Sequence, residues 1–228
     1  MPPKILAAHK QVTLCIDYFF IDGLTFFITV SRNIHFITVE NVMERTILTH
    51  YLPALKNVHA IDKARGFVID TINADEEFQS LKTPLLEKFN IFMNISTTNE
   101  HVPEIERMIR VVKERIRSTV HGVPFKRFPI MMKIDIVKKE TAWINMFPHR
   151  DGVSHHLSPR NIVTGLEVDF KTHCRVPFGA YCEVHDEPKI SNTETSRTTP
   201  AIALISTGNV QGGYFQHVPA QRRRLSSP

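Results

Sequence analysis

The chain has 228 residues, 42% of them hydrophobic and 22% charged, which excludes wholesale disorder and suits one large domain, or one domain with a small appendage. Its formal charge is +5 and its isoelectric point lies near 9.2, which tilts the expected partner toward a polyanion. The longest apolar runs, such as Leu24–Val30, fall far below the roughly 18 residues that span a bilayer. The N-terminus has no apolar stretch of signal-peptide length, and Cys15, Cys174 and Cys182 are too scattered for a disulfide framework. An intracellular, reducing location and no membrane partner are expected.

In chain order, residues 1–9 read as a tail. Gln11–Ile21 alternates and is rich in β-branched and aromatic residues, the pattern of a strand. Asp22-Gly23 is a hairpin signal and Leu24–Val30 the returning strand. Ser31–Asn33 predicts a second tight turn, and Ile34–Val39 a third strand. Glu40 to about Ala64 has helical spacing, with Pro53 as a kink or split, and closes at Gly66. Phe67–Ile72 predicts a fourth strand, and Glu76–Phe89 a helix interrupted at Pro84. Ile91–Ile95 predicts a fifth strand, followed by a cap-rich loop at Thr97–Glu100. Pro103 suits the first turn of a helix to about Val120. A further helix spans about Ile134–Met146 and carries Trp143, expected in the core, and Leu157–Arg160 opens a short helical turn. Beyond about Val168, short strands, glycines and polar loops predict a small β-rich appendage.

Charge is concentrated. Arg107, Arg110, Lys113, Arg115, Arg117, Lys126 and Arg127 are opposed only by Glu114, and Arg222–Arg224 forms a second cluster. The plain reading of such clusters is a solvated face and a solubilising tail. At helical spacing, however, Ile105, Ile109, Val112, Ile116 and Val120 form an apolar stripe, and Glu106, Arg110, Lys113 and Arg117 line the neighbouring one. One acid against three cations repels more than it pairs, so the row resembles a phosphate-binding ridge with an acid at its end.

Three acids fall at informative points. Asp17 sits mid-strand among apolar residues, where a carboxylate is costly unless paired or bound to a cation. Asp75 sits just past the fourth strand, where sites gather in open α/β sheets. Glu106 opens the helix after the fifth. Each also has a structural reading: an edge-strand charge for Asp17, an N-cap for Asp75, and a first-turn acid favoured by the helix dipole for Glu106. Glu104 and Asp70, the latter taken to end the fourth strand, compete for these positions. Cys174 and Cys182 with His173 and His185 lack the usual spacing of a zinc site. Cys15 reads as a small core residue. No phosphate-binding or dinucleotide-binding glycine pattern occurs, so no small-molecule cofactor is expected.

The stretches Thr13-Leu-Cys-Ile-Asp17-Tyr-Phe-Phe, Ala74-Asp75-Glu-Glu-Phe78 and Glu104-Ile-Glu106-Arg-Met-Ile-Arg110, in this order, resemble the catalytic core of a copia-like (LTR) retrotransposon integrase from a Pol polyprotein. Ala142-Trp-Ile-Asn145, Leu157–Gly165 and Val176-Pro-Phe178-Gly179-Ala-Tyr181 are similar to segments that follow such cores. The resemblance spans roughly residues 10 to 220. It implies an α/β, RNase H-like fold, a mixed five-stranded sheet flanked by helices in residues 10–165, with the β-rich region and basic tail in 166–228. It implies Asp17, Asp75 and Glu106 as a DDE triad holding Mg²⁺ or Mn²⁺. Arg107, Arg110, Lys113, Arg117, Lys126 and Arg127 are then DNA contacts, and a homo-oligomer is expected by analogy. Two features depart from the pattern: Asp75 stands only three residues before Phe78, and the Asp75–Glu106 interval is slightly short. The zinc-binding His-His-Cys-Cys module that precedes such cores is not in this sequence, so a fragment or a separate reading frame of a mobile element is expected. The implied activity is a DNA polynucleotidyl transferase, located in the nucleus if active; the alternative is a non-catalytic remnant that keeps the fold and binds nucleic acid or acts as a scaffold.

Overall fold

The computed structural model describes residues 3–42, 51–96, 102–185, 194, 197–209 and 211–218. Strands β1 (Gln11–Ile21) and β2 (Leu24–Ser31) form an antiparallel hairpin with Ile21 opposite Leu24. Its two-residue turn puts Asp22 at φ 47° and Gly23 at φ 81°, the left-handed pair that matches the twist of a hairpin. Strand β3 (Ile37–Val42) pairs antiparallel to β2. It starts three residues later than predicted, because Asn33 and His35 both adopt positive φ, 68° and 59°. These widen the turn so that the Ser31 N–H bonds the Phe36 carbonyl.

Of the helix predicted from Glu40, residues 40–42 belong to β3 instead. Residues 43–50 lie outside the described residues, and α2 runs Leu52–Ala64. Pro53 lies in the first turn of α2, just after Tyr51, whose backbone angles of φ −73° and ψ −41° are themselves helical, and a first turn tolerates its missing N–H. Strand β4 (Val68–Asp75) extends to Asp75, which is its last residue and not a loop residue beyond it. A 3₁₀ helix (Glu76–Leu81) and α3 (Lys82–Phe89) follow, Pro84 lying in the first turn of α3. Strand β5 (Phe92–Ser96) is parallel to β4, and β4 is parallel to β1. Helices α4 (Pro103–Gly122), α5 (Ile130–Asn145) and α6 (Pro159–Thr164) complete the succession. The N-terminal stretch predicted as a tail forms α1 (Pro3–Ala8).

The result is a mixed five-stranded sheet, β3-β2-β1-β4-β5, flanked by helices, the α/β architecture expected from the sequence. One sheet face carries the main core: Val12, Leu14 and Ile16 of β1, Phe27 of β2 and Ile72 and Ala74 of β4 pack with Leu55 and Val58 of α2, Leu85 of α3 and Ile162 of α6. Phe78 ties the 3₁₀ helix into it, its ring 5.4 Å from that of Tyr51 and 6.0 Å from that of Tyr18. On β1, side chains alternate between faces, so Cys15, Asp17 and Phe19 point to the other face. Asn145 of α5 closes the β3 edge: its Oδ1 accepts from the Ile37 N–H at 2.9 Å, and its Nδ2 donates to the Ile37 carbonyl at 2.7 Å.

The chain divides into two units, Met1–Arg117 with Val137–Val168, and Ser118–Ile136 with Asp169–Pro228. The second contains α7 (Phe170–His173) and a three-stranded antiparallel sheet of β6 (Tyr181–His185), β7 (Thr198–Ser206) and β8 (Tyr214–His217), in the order β6-β7-β8. Within it Gly179 has φ +83°, and a Cβ there would come within 2.6 Å of Val123 Cγ1, so the site excludes larger residues.

Candidate active site

The parallel pairing of β1 and β4 places the first two acids. Thr13 pairs with Thr71, Leu14 with Ile72 and Cys15 with Asn73. Two residues further in this register, Asp17 is level with Asp75 at the C-terminal end of β4, beside Ser96 of β5. Partners level across a parallel pair point to the same face, so both carboxylates leave the sheet on the face opposite the main core. Asp75 occupies the N-cap position of the following 3₁₀ helix, with extended backbone angles, but its side chain makes no cap bond there.

Glu106 belongs to the first turn of α4. This helix buries Ile105, Met108, Val112 and Ile116, a stripe turned slightly from the predicted one: Met108 is buried and Ile109 and Val120 are half-buried. Glu106, Arg107, Arg110 and Arg117 are exposed. Lys113 is half-buried, its ammonium 5.9 Å from the centre of the Phe19 ring. Phe19 lies on the same face of β1 as Asp17, two residues on, so one cation of the row stands beside the acids. Lys126 and Arg127 belong to the second unit, and Arg222–Arg224 lie outside the described residues, as does the Thr97–Glu100 loop.

The acids act on one another. Burial first, and then the charges of Asp75, Glu106 and Glu77, together push the Asp17 carboxyl up to about 6 against the opposing pull of the Tyr18 N–H, which donates to Asp17 Oδ1 at 2.7 Å. Glu77 is an acid that sequence reasoning missed. The Tyr18 hydroxyl donates to its Oε2, linking the residue after Asp17 to the second residue after Asp75.

Neither competing acid takes a place in this group. Glu104 is engaged with Arg32, whose Nη2 and Nε donate to its Oε1 at 2.6 and 2.9 Å. Its Oε2 accepts from the Cys15 thiol at 3.7 Å. Burial, followed by the charge of Glu104, pushes that thiol up to about 11, so it carries no nucleophilic thiolate at neutral pH. Asp70 does not end β4. It lies near the start, at the irregularity where Val12 pairs with Ile69 and Thr13 with Thr71, five residues and about 16 Å before Asp75. Trp143 is half-exposed rather than in the core, with the Lys139 ammonium 5.4 Å from its ring. His173 uses both ring nitrogens on backbone groups, Nδ1 accepting from the Asp169 N–H and Nε2 against the Asn209 carbonyl.

The donor set fits a hard divalent cation in kind: carboxylate oxygens that repel one another until a cation neutralises them. Among the described residues, no three His, Cys, Asp or Glu side chains stand close enough to share one ion. The acids are coupled through their charges but not closed on one coordination sphere.

No protein-family model matches the chain, and no curated protein matches it. Among solved structures it is similar to the catalytic core domain of BIV integrase, at 14% identity over 67% of this chain and 93% of that one, with a TM-score of 0.48. It is also similar to the HTLV-2 integrase catalytic core domain, a structure in complex with magnesium in a trimeric form. There the identity is 12% over 68% of this chain and 96% of that one, with a TM-score of 0.47. At these identities the likeness concerns fold alone, and the roles of individual residues rest on their own geometry.

Proposed function

We propose that the chain is an integrase-like polynucleotidyl transferase that cuts and joins DNA phosphodiesters, its catalytic part in residues 10–165 and its origin a copia-like retrotransposon polyprotein. The observation that carries this reading is the meeting of a partly buried Asp17 in β1 with Asp75 at the carboxyl end of the parallel strand β4 and the electrostatic coupling of both Asp75 and Glu106 to it. Asp17, Asp75 and Glu106 would hold Mg²⁺ or Mn²⁺. When bound, such ions stabilise the charge that develops in an in-line displacement at phosphorus. Arg110, Lys113 and Arg117, with Arg107, hold the phosphates that run away from the reacting one; Lys126 and Arg127, in the second unit, are further DNA contacts in this reading. Water as nucleophile trims a DNA end; a 3′-hydroxyl joins strands. A homo-oligomer acting in the nucleus belongs to the same reading.

The test is incubation of the purified chain with Mn²⁺ and a labelled DNA end. Wild type should trim or join it, and Asp75→Asn should lower product at least about 10²-fold with DNA affinity nearly unchanged. One observation favours a second reading, a remnant that binds nucleic acid without catalysis: no three potential ligands close on one point among the described residues. Binding with no product from wild type and variant alike would support it.

A further inference from the structure

Beside the acids, β4 and β5 carry a shelf that the proposed chemistry leaves unused. On β5, Met93 belongs to the main core, and Ile91 just before the strand joins it there, so Phe92, Asn94 and Ser96 project from the opposite face, which Asp17 and Asp75 share. Phe92 is 63% exposed, the most exposed large apolar side chain of the first unit among the described residues. Asn94 is also exposed, and its Nδ2 donates to Asn73 Oδ1 at 3.4 Å. Asn73 in turn hydrogen-bonds the Cys15 thiol, so the amide pair is anchored to β1. The acid nearest that anchor, Glu104, is neutralised by Arg32. An aromatic face and a tethered amide that keeps a further acceptor and donor thus lie in one strip, free of net charge, running into the acids.

We propose that this shelf binds the single-stranded flank of the DNA whose phosphodiester lies at Asp17 and Asp75, with a base stacked on Phe92 and a base edge read by Asn94. The proposal rests on the nucleic-acid reading above and adds what the strand does beyond the reacting phosphate. A single strand is the occupant that fits, because its bases offer unpaired edges and free π-faces, which a duplex keeps stacked. The spacing agrees. Phe92 pairs with Thr71, four residues before Asp75, which is about 13 Å along the strand. At the 3.4 Å rise of stacked DNA about four nucleotides cover that distance, and a strand with unstacked bases covers it in fewer, so four set an upper bound.

The experiment is fluorescence anisotropy on the full chain, comparing a blunt duplex with the same duplex carrying a single-stranded overhang of about four nucleotides. Wild type should prefer the overhang. Phe92→Ala should lower overhang affinity about ten-fold, the scale of one base–aromatic stack, and leave blunt-duplex affinity unchanged. Phe92→Tyr should restore the preference, and Phe92→Leu, which keeps apolar bulk without a π-face, should not. Full restoration by Leu, equal losses on both DNAs, or no preference in wild type would each overturn the shelf. So would a wild-type dimer in sedimentation that Phe92→Ala abolishes with DNA affinity unchanged, since a second copy would then be the occupant. The two readings fail separately: overhang discrimination without cleavage or joining sinks the catalysis alone, and joining with Phe92→Ala indistinguishable from wild type sinks the shelf alone.

Discussion

Asp17 bears the electrostatic strain of the site. Its folded-state carboxyl titrates near 6 rather than near the ordinary 3.8, through burial and then the charges of Asp75, Glu106 and Glu77. A folded group that holds its proton more tightly than the unfolded chain makes stability fall as pH rises between about 4 and 6, with the penalty fully present above that window. Asp17→Asn should therefore raise the melting temperature at pH 7.5 and leave it nearly unchanged at pH 4. The gain should be on the order of 2 kcal/mol, discounted for the partial exposure of the group. Thermal unfolding at the two pH values measures this, and an equal shift at both would contradict it. Asp62 provides a contrast: burial alone pushes it up to about 7, with no neighbouring acid contributing. Asp17 was legible in the sequence as a carboxylate inside an apolar strand. Glu77 was not, because its relevance depends on Tyr18 of β1 reaching the 3₁₀ helix that follows β4.

At the level of elements, α4 carries five Lys and Arg side chains, Arg107, Arg110, Arg115 and Arg117 exposed and Lys113 half-buried over Phe19. If Arg110 and Arg117 each contact a phosphate, Arg110→Ala with Arg117→Ala should reduce the slope of log affinity against log salt by about 2, without changing sequence preference. An unchanged slope would show that this face of the helix is only solvated. The hairpin turn and α4 could be read in advance because their signals are local: Asp22-Gly23 for the turn, and a three-four repeat for the helix. The start of β3 could not, because positive φ stays uncommon even for Asn and His, so its use at both Asn33 and His35 is not announced by the residues. The level placement of Asp17 and Asp75 depends on an irregularity between Val12 and Thr13, which no pattern in either strand announces. The separate register of β4 with β5 brings Asn73 beside Asn94 and sets Phe92 on the acids' face, and neither strand's residues announce that pairing.

For the whole molecule, the fold explains why residues so far apart in sequence form one site. Parallel strands β1 and β4 bring two acids to one end of the sheet, and α4 returns over the face that they share. The segment after Asp75 is pinned by Phe78 in the main core, so core packing and site geometry are coupled. The central claim is that Asp17, Asp75 and Glu106 jointly hold a divalent ion. Electron paramagnetic resonance of Mn²⁺ with the full chain and a DNA end measures it most directly. Wild type should deplete the free-ion signal, and Asp17→Asn, Asp75→Asn and Glu106→Gln should each leave most of it in solution. Equal depletion by wild type and all three variants, or none by wild type, would contradict the account.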